Sequence, residues 1–149
     1  MAILNYTTSI NPEKTAMEIQ RKLADAKAQA ILTEYNDQGL LNAMSFRIMT
    51  TYGILFFRLP VKIKGVYKSL KNDNKVPNRL KTEEQANRVA WRILKDWVEA
   101  QLAIIQVEMA TLEEVFLPYA QDKTGKTFYE SIKENKYKML TFDKGNGGD

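Results

Sequence analysis

Between Ala30 and Leu59 the chain alternates three short β-rich runs with two turn sequences, and this pattern constrains the fold more than any other feature. The runs are Ala30–Tyr35, Leu40–Thr51 and Ile54–Leu59; the turns are Asn36-Asp37-Gln38-Gly39 and the residues around Tyr52-Gly53. Runs of β-branched and aromatic residues separated by Asn- and Gly-containing turns are typical of consecutive hairpins. The sequence therefore predicts a three-stranded antiparallel meander.

The alternation within the middle run predicts one apolar face and one mixed face. Met44, Phe46 and Ile48 share one side, and Ser45, Arg47 and Met49 share the other. In the third run, apolar residues point to both faces of the strand. This requires either cover on both faces of the sheet or an exposed aromatic residue. Of these alternatives, we expect Phe56 to be buried against a helix.

Helical periodicity and cap residues flank the predicted sheet. Helices are predicted from Pro12 to about Lys27, over Val61–Lys71, from Glu83 to about Met109, after Thr111, and from Phe128 to about Asn135. Capping boxes are predicted where Thr82, Thr111 and Thr127 each precede Gln or Glu by three positions. The broad apolar stripe after Glu83 suits either the core or a dimer contact.

These elements together predict an α+β fold. A three- to four-stranded antiparallel meander packs against the long helix of the C-terminal half and the N-terminal helix, with 3–9 as a candidate edge strand. A length of 149 residues and a hydrophobic content of 44% suit one domain. We place this domain at 1–140 and a flexible tail at 141–149.

Positive charge is concentrated in one segment. From Arg58 to Lys81 the chain has eight basic residues and one acid, which leaves fourteen basic and seventeen acidic residues elsewhere. A clustered positive surface attracts phosphate-bearing partners. The candidate anion-binding residues are Arg47, Arg58, Lys62, Lys64, Lys68, Lys71, Lys75 and Arg79. The same lysines also suit an ordinary solvated helix and loop.

Aromatic residues near these cations are candidates for base stacking or for contact with a partner. Tyr52, Phe56 and Tyr67 are spaced among the basic residues, and sheet faces that carry Arg and aromatics hold unpaired bases in several single-strand binders. Trp91 and Trp97 lie six positions apart, about 240° around a helix, so one belongs to the core and the other is a candidate partner contact. We assign partner contact to Trp91 and Tyr67.

The composition excludes most familiar catalytic sites. The chain has no His and no Cys, and so lacks the side chain that titrates near neutral pH, the soft metal ligands and the strongest nucleophile. No cofactor or metal is predicted. Carboxylate chemistry stays open at Glu34 with Asp37 and at Glu113 with Glu114, although neither spacing specifies a site. Thr124-Gly125-Lys126-Thr127 ends like a phosphate-binding loop, but Ala120 occupies the first glycine position; a turn followed by an N-cap explains it.

Three stretches carry a resemblance to known proteins. They are Arg88 with the run 91–102, Phe56-Phe57-Arg58-Leu59-Pro60, and Val115-Phe116-Leu117-Pro118-Tyr119. From about Tyr6 to Tyr129 the chain resembles an uncharacterised family of small proteins encoded by bacteriophages and prophages. The resemblance implies a setting inside a bacterial cell and no particular activity. The absence of a secretory signal and of a long apolar stretch also predicts a cytoplasmic protein.

Three functional hypotheses follow. The first is a phage-encoded, non-enzymatic accessory protein that binds nucleic acid through the basic segment 58–81. The second is a phage inhibitor or sequestering protein that binds a host defence protein or a small phosphorylated nucleotide signal, with a homodimer enclosing the anion. The third is a carboxylate-dependent enzyme.

Overall fold

The predicted meander is present in the computed structural model, which describes residues 3–143. Strands β1 (Ala30–Tyr35), β2 (Leu41–Thr50) and β3 (Gly53–Arg58) form one antiparallel sheet in the order β1-β2-β3. A β-bulge interrupts the β1–β2 register between Glu34 and Tyr35. The fold class is confirmed as α+β, with three strands where three or four were predicted.

Local hydrogen bonds explain both turns. The side-chain oxygen of Asn36 accepts from the backbone amides of Gln38 and Leu40, and Gly39 takes a φ of +79°, which a residue with a side chain rarely adopts. At the second turn the hydroxyl of Thr50 donates to the carbonyl of Gly53. The turn residues thus set the strand register.

Within residues 3–143, five α-helices and two short 3-10 turns accompany the sheet. They are α1 (Pro12–Asp25), α2 (Ile63–Asn72), α3 (Glu83–Gln106), α4 (Leu112–Phe116) and α5 (Phe128–Glu134); the 3-10 turns are Asn78–Leu80 and Leu117–Tyr119. Both reciprocal capping boxes predicted at Thr111 and Thr127 are present. At Thr82 only half of the box forms, because the side chain of Gln85 bonds elsewhere.

The predicted edge strand at 3–9 is wrong. This segment forms turns, and Asn5 takes a φ of +65°, which interrupts an extended backbone. The amide nitrogen of Gln85 donates to the carbonyls of Tyr6 and Thr8 at 2.8 and 2.9 Å. Since a side chain of α3 satisfies these carbonyls, the segment does not pair with the sheet.

The core lies between one face of the sheet and the helices. Phe46 on β2 stacks on Phe57 of β3 with ring centroids 5.1 Å apart, and Phe116 meets Phe46 edge-on at 5.5 Å. Trp91 on α3 is fully buried and donates from its indole nitrogen to the carbonyl of Leu41 at 2.8 Å. The apolar side of α3 therefore forms the core.

Two packed helix pairs complete the fold. Helix α3 packs against both α1 and α2. At the α1–α3 contact, Arg92 bonds the carboxylate of Glu18 at 2.7 Å. In residues 3–143 no helix is long and apolar enough to cross a membrane. Most of the predicted tail, 141–149, lies outside the described residues.

Candidate functional site

Three lysines form one row along the exposed face of α2. Lys64, Lys68 and Lys71 are exposed, and their spacing of four and three positions keeps them within an arc of about 60° over about 10 Å of helix. On the opposite face Leu70 is fully buried and forms a cluster with Val76 and Ala86. Val66 packs against this cluster. The amphipathic pattern of α2 thus turns the lysines outward; we call Lys64, Lys68 and Lys71 the lysine row.

The lysine row lacks acidic partners. None of the ion pairs within residues 3–143 includes Lys64, Lys68 or Lys71. Lys71 lies over the ring of Tyr67, with its ammonium 5.0 Å from the centroid. Like charges four positions apart destabilise a helix by roughly 0.2–0.5 kcal/mol. The row therefore does not stabilise α2 through charge, and its cations stay free to meet an anion.

Positive charge continues on both sides of the lysine row. Lys75 and Arg79 are exposed in the segment that follows α2. Lys62 precedes α2 and is also exposed. Arg58, at the end of β3, pairs with Glu34 on β1 at 3.2 Å.

Glu130 on α5 shows that Arg58 and Lys62 act on a common region. Hydrogen bonds from Thr127, first from its backbone amide, lower the pKa of the Glu130 carboxyl, and the nearby charges of Lys62 and Arg58 lower it further. The fold thus brings the end of β3 and the start of α2 together electrostatically, and places one carboxylate beside them.

Arg47 occupies a different surface, the face of the sheet that points away from the core. It lies opposite Phe56 on β3 and Ala30 on β1. Its Nε atom is buried without a hydrogen-bond partner among the described residues. We define the open sheet face as Arg47 together with Leu32, Met49, Ile54, Phe56 and Arg58, which lie on its side of the sheet; Glu34 and Ser45 also lie on this side.

The expectation that Phe56 is buried is wrong. Its side chain is 50% exposed, whereas that of Phe57 is fully buried. The register decides between the two: Phe57 lies opposite Phe46 in the core, and Phe56 lies opposite Arg47. The two-residue turn at Thr51-Tyr52 pairs Thr50 with Gly53, and it lacks the Asn or Gly that usually identifies such a turn in a sequence.

The partner-contact assignment of Trp91 is corrected. Trp91 has no exposed surface, so it cannot meet a partner in this conformation, and its fused ring fills the core. Trp97 is the partly exposed tryptophan, edge-on to Phe116 and Tyr119 at 5.7 and 5.5 Å. Tyr67 is half-buried beside Lys71, and its role as a partner contact stays a prediction.

The carboxylates serve structural contacts. Hydrogen bonds from Lys95 and Lys22 lower the pKa of the Glu99 carboxyl, and one from Thr124 lowers that of Asp122. A general acid at neutral pH needs the opposite shift. Within the part of the chain that the structure describes, no group of three acidic residues is arranged to hold a metal ion.

One member of each predicted carboxylate pair makes a structural contact. Glu34 is bound to Arg58, and Glu114 caps α4. The Gly-Lys-Thr sequence is a turn followed by an N-cap, as predicted: Asp122 accepts from the amides of Thr124 and Lys126, and Thr127 begins α5.

The structure also reveals a groove that the sequence did not indicate. It measures about 290 Å³ and lies between α2 and α3; Pro60, Lys62, Val66, Ala90, Ile93, Leu94, Trp97 and Tyr119 line it. Lys62 is its only charged lining residue. The wall residues come from segments distant in sequence, so no local pattern could have identified it.

The comparisons with known proteins do not assign the chain to a family. No protein-family model matches the chain, and no curated protein or solved structure matches it either. The resemblance to small phage proteins stays a prediction.

Proposed function

We propose that the protein binds nucleic acid without catalysing a reaction, and that its cations contact the phosphate backbone. The observation that carries this proposal is the lysine row, in which three exposed lysines share one helix face and have no acidic partner in the described residues. Bringing phosphates to this row offsets the mutual repulsion of the lysines and releases counterions from the nucleic acid. Such contacts supply affinity that is independent of sequence.

The remaining predicted cations extend the phosphate-binding surface. Lys75 and Arg79 follow the row in the chain, and Lys62 and Arg58 precede it. The influence of both Lys62 and Arg58 on Glu130 supports a joint field at this end. If the resemblance to phage proteins holds, the nucleic acid is encountered in the cytoplasm of a bacterial host.

The test is fluorescence anisotropy of the purified protein with labelled single-stranded DNA, duplex DNA and RNA at several salt concentrations. The logarithm of the binding constant should fall linearly with the logarithm of salt, by roughly 0.7 per phosphate neutralised on a single strand and roughly 0.9 on a duplex. Absence of binding at low salt would refute the proposal.

A second candidate function is sequestration of a small phosphorylated nucleotide or binding of a host defence protein. The groove between α2 and α3 favours the small-molecule version, because aromatic side chains of Trp97 and Tyr119 and the cation of Lys62 line the same space. A nucleotide would place its base against the aromatics and its phosphate on Lys62. Isothermal titration with mononucleotides tests this version, and a Lys62→Ala variant that binds as tightly as the wild type would contradict it.

A further inference from the structure

The open sheet face is unusually apolar for a surface exposed to water. Leu32, Met49, Ile54 and Phe56 are 58%, 55%, 47% and 50% exposed, whereas the outer face of a one-sided antiparallel sheet is ordinarily polar. Met49 lies opposite Ile54, and the next cross-strand pair on this face is Arg47 with Phe56. Met49, Ile54 and Phe56 are thus neighbours on one surface, whereas Leu32 lies on β1 opposite Ser45. Contiguous apolar patches of this kind mark binding sites.

The cations on this face restrict what can bind there. Arg47 is partly exposed opposite Phe56, and none of the ion pairs within residues 3–143 includes it. Arg58 lies two residues beyond Phe56 on β3, on the same face. The neighbouring acid, Glu34, forms an ion pair with Arg58. An occupant must therefore offer flat apolar surface together with hydrogen-bond acceptors or negative charge.

A second copy of this chain fits these requirements poorly. Packing two such faces around a two-fold axis would bring Arg47 towards Arg47 of the other copy, and like charges across an interface oppose association. An unpaired nucleobase meets the requirements, because its ring stacks on an aromatic side chain while its edge and its phosphate accept hydrogen bonds.

The open sheet face is also adjacent to the phosphate-binding surface. Arg58 belongs to the sheet face, and Lys62 follows four positions later, at most about 14 Å away along the chain. Both charges act on the carboxyl of Glu130. A strand whose phosphates contact Arg58 and Lys62 can therefore present bases to Phe56, which lies two residues from Arg58 on β3.

We propose that the open sheet face is a stacking platform for unpaired bases, with Phe56 as its aromatic surface and Arg47 as its hydrogen-bond donor. This inference rests on the proposed function and adds a substrate class: single-stranded nucleic acid is bound in preference to duplex. Bases inside a duplex stack on one another and do not reach Phe56, so a duplex contacts only the cations.

The test compares three ligands of equal length: single-stranded DNA, single-stranded RNA, and a DNA strand with abasic sites at every position. The wild type should bind the base-containing strands roughly 10-fold more tightly than the abasic strand. Phe56→Leu keeps an apolar side chain but removes the aromatic ring, and should bind all three alike. Phe56→Tyr should restore the preference. A difference between the DNA and RNA arms identifies which strand is preferred.

Met17→Ala is the matched control, because Met17 is an apolar side chain that is 67% exposed on α1 and does not belong to the open sheet face. It should leave all affinities unchanged. Equal wild-type binding to abasic and base-containing strands would overturn the stacking platform while leaving phosphate binding intact. No binding to any strand would overturn both proposals. A dimer that dissociates in Phe56→Leu, seen by sedimentation, would show instead that the face is a subunit interface.

Discussion

Gln85 is a buried side chain that forms hydrogen bonds with residues 79 and 77 positions earlier in the chain. It is 2% exposed on α3. Its amide nitrogen donates to the carbonyls of Tyr6 and Thr8, and its oxygen accepts from Nε of Arg88 at 2.9 Å. One amide group therefore fastens the N-terminal segment to the long helix.

Replacing Gln85 by Leu should leave those two carbonyls and the Arg88 donor without this partner. We expect the free energy of unfolding to fall by about 1–3 kcal/mol, the usual cost of an unsatisfied buried polar group. Urea denaturation measures it, and hydrogen exchange should show faster exchange in 3–9. The control is Gln106→Leu at the exposed end of α3. Equal stability of the two variants would show that the Gln85 bonds contribute nothing.

At the scale of the elements, helix α5 begins with a capping box that depends on charge. Thr127 accepts from the amide of Glu130, and the carboxylate of Glu130 accepts from the amide of Thr127 at 2.8 Å. The pKa of the Glu130 carboxyl is lowered from its ordinary value of 4.5. Because the unfolded chain binds this proton more tightly, the contribution to stability is present above about pH 4.5 and is lost as the pH falls through the lowered value.

Glu130→Gln should therefore destabilise the protein at neutral pH, and the difference in stability from the wild type should shrink as the pH falls below about 4.5. Thermal unfolding at neutral pH and at several acidic pH values measures the difference. A difference that stays constant with pH would mean that the charged carboxylate adds nothing to the cap.

The sequence predicted the elements well where local chemistry sets them. Asn36 and Gly39 form the first predicted turn, Gly53 begins β3 directly after the second, and the predicted caps at Thr111 and Thr127 begin helices. Segment 3–9 was mispredicted because its partner, Gln85, lies far along the chain.

Part of the candidate site could be predicted from local sequence, and part could not. The lysine row follows from helical spacing alone, so its exposure was predictable. The open sheet face was not, since Phe56 and Phe57 are adjacent aromatics and only the pairing with β2 decides which of them faces the core.

At the scale of the whole molecule, positive charge is concentrated in the segment that runs from the end of β3 through α2 to the start of α3. The chain has a net charge of +4, and the segment from Arg58 to Lys81 alone carries eight basic residues and one acid. The rest of the molecule is therefore slightly negative. Under the proposed function this separation orients the protein towards a polyanion. The effect of a charge substitution on binding should then depend on its position and not on the total charge.

The measurement that tests the central claim most directly is the salt dependence of nucleic-acid affinity for two variants of equal net charge. Lys64→Glu with Lys68→Glu reverses the lysine row, and Lys133→Glu with Lys138→Glu reverses two exposed lysines in and after α5. The first variant should bind every sequence more weakly, and the slope of the logarithm of its binding constant against log salt should be smaller by roughly 1.5. The second variant should bind like the wild type. Equal losses in the two variants would show that net charge, and not the lysine row, governs binding.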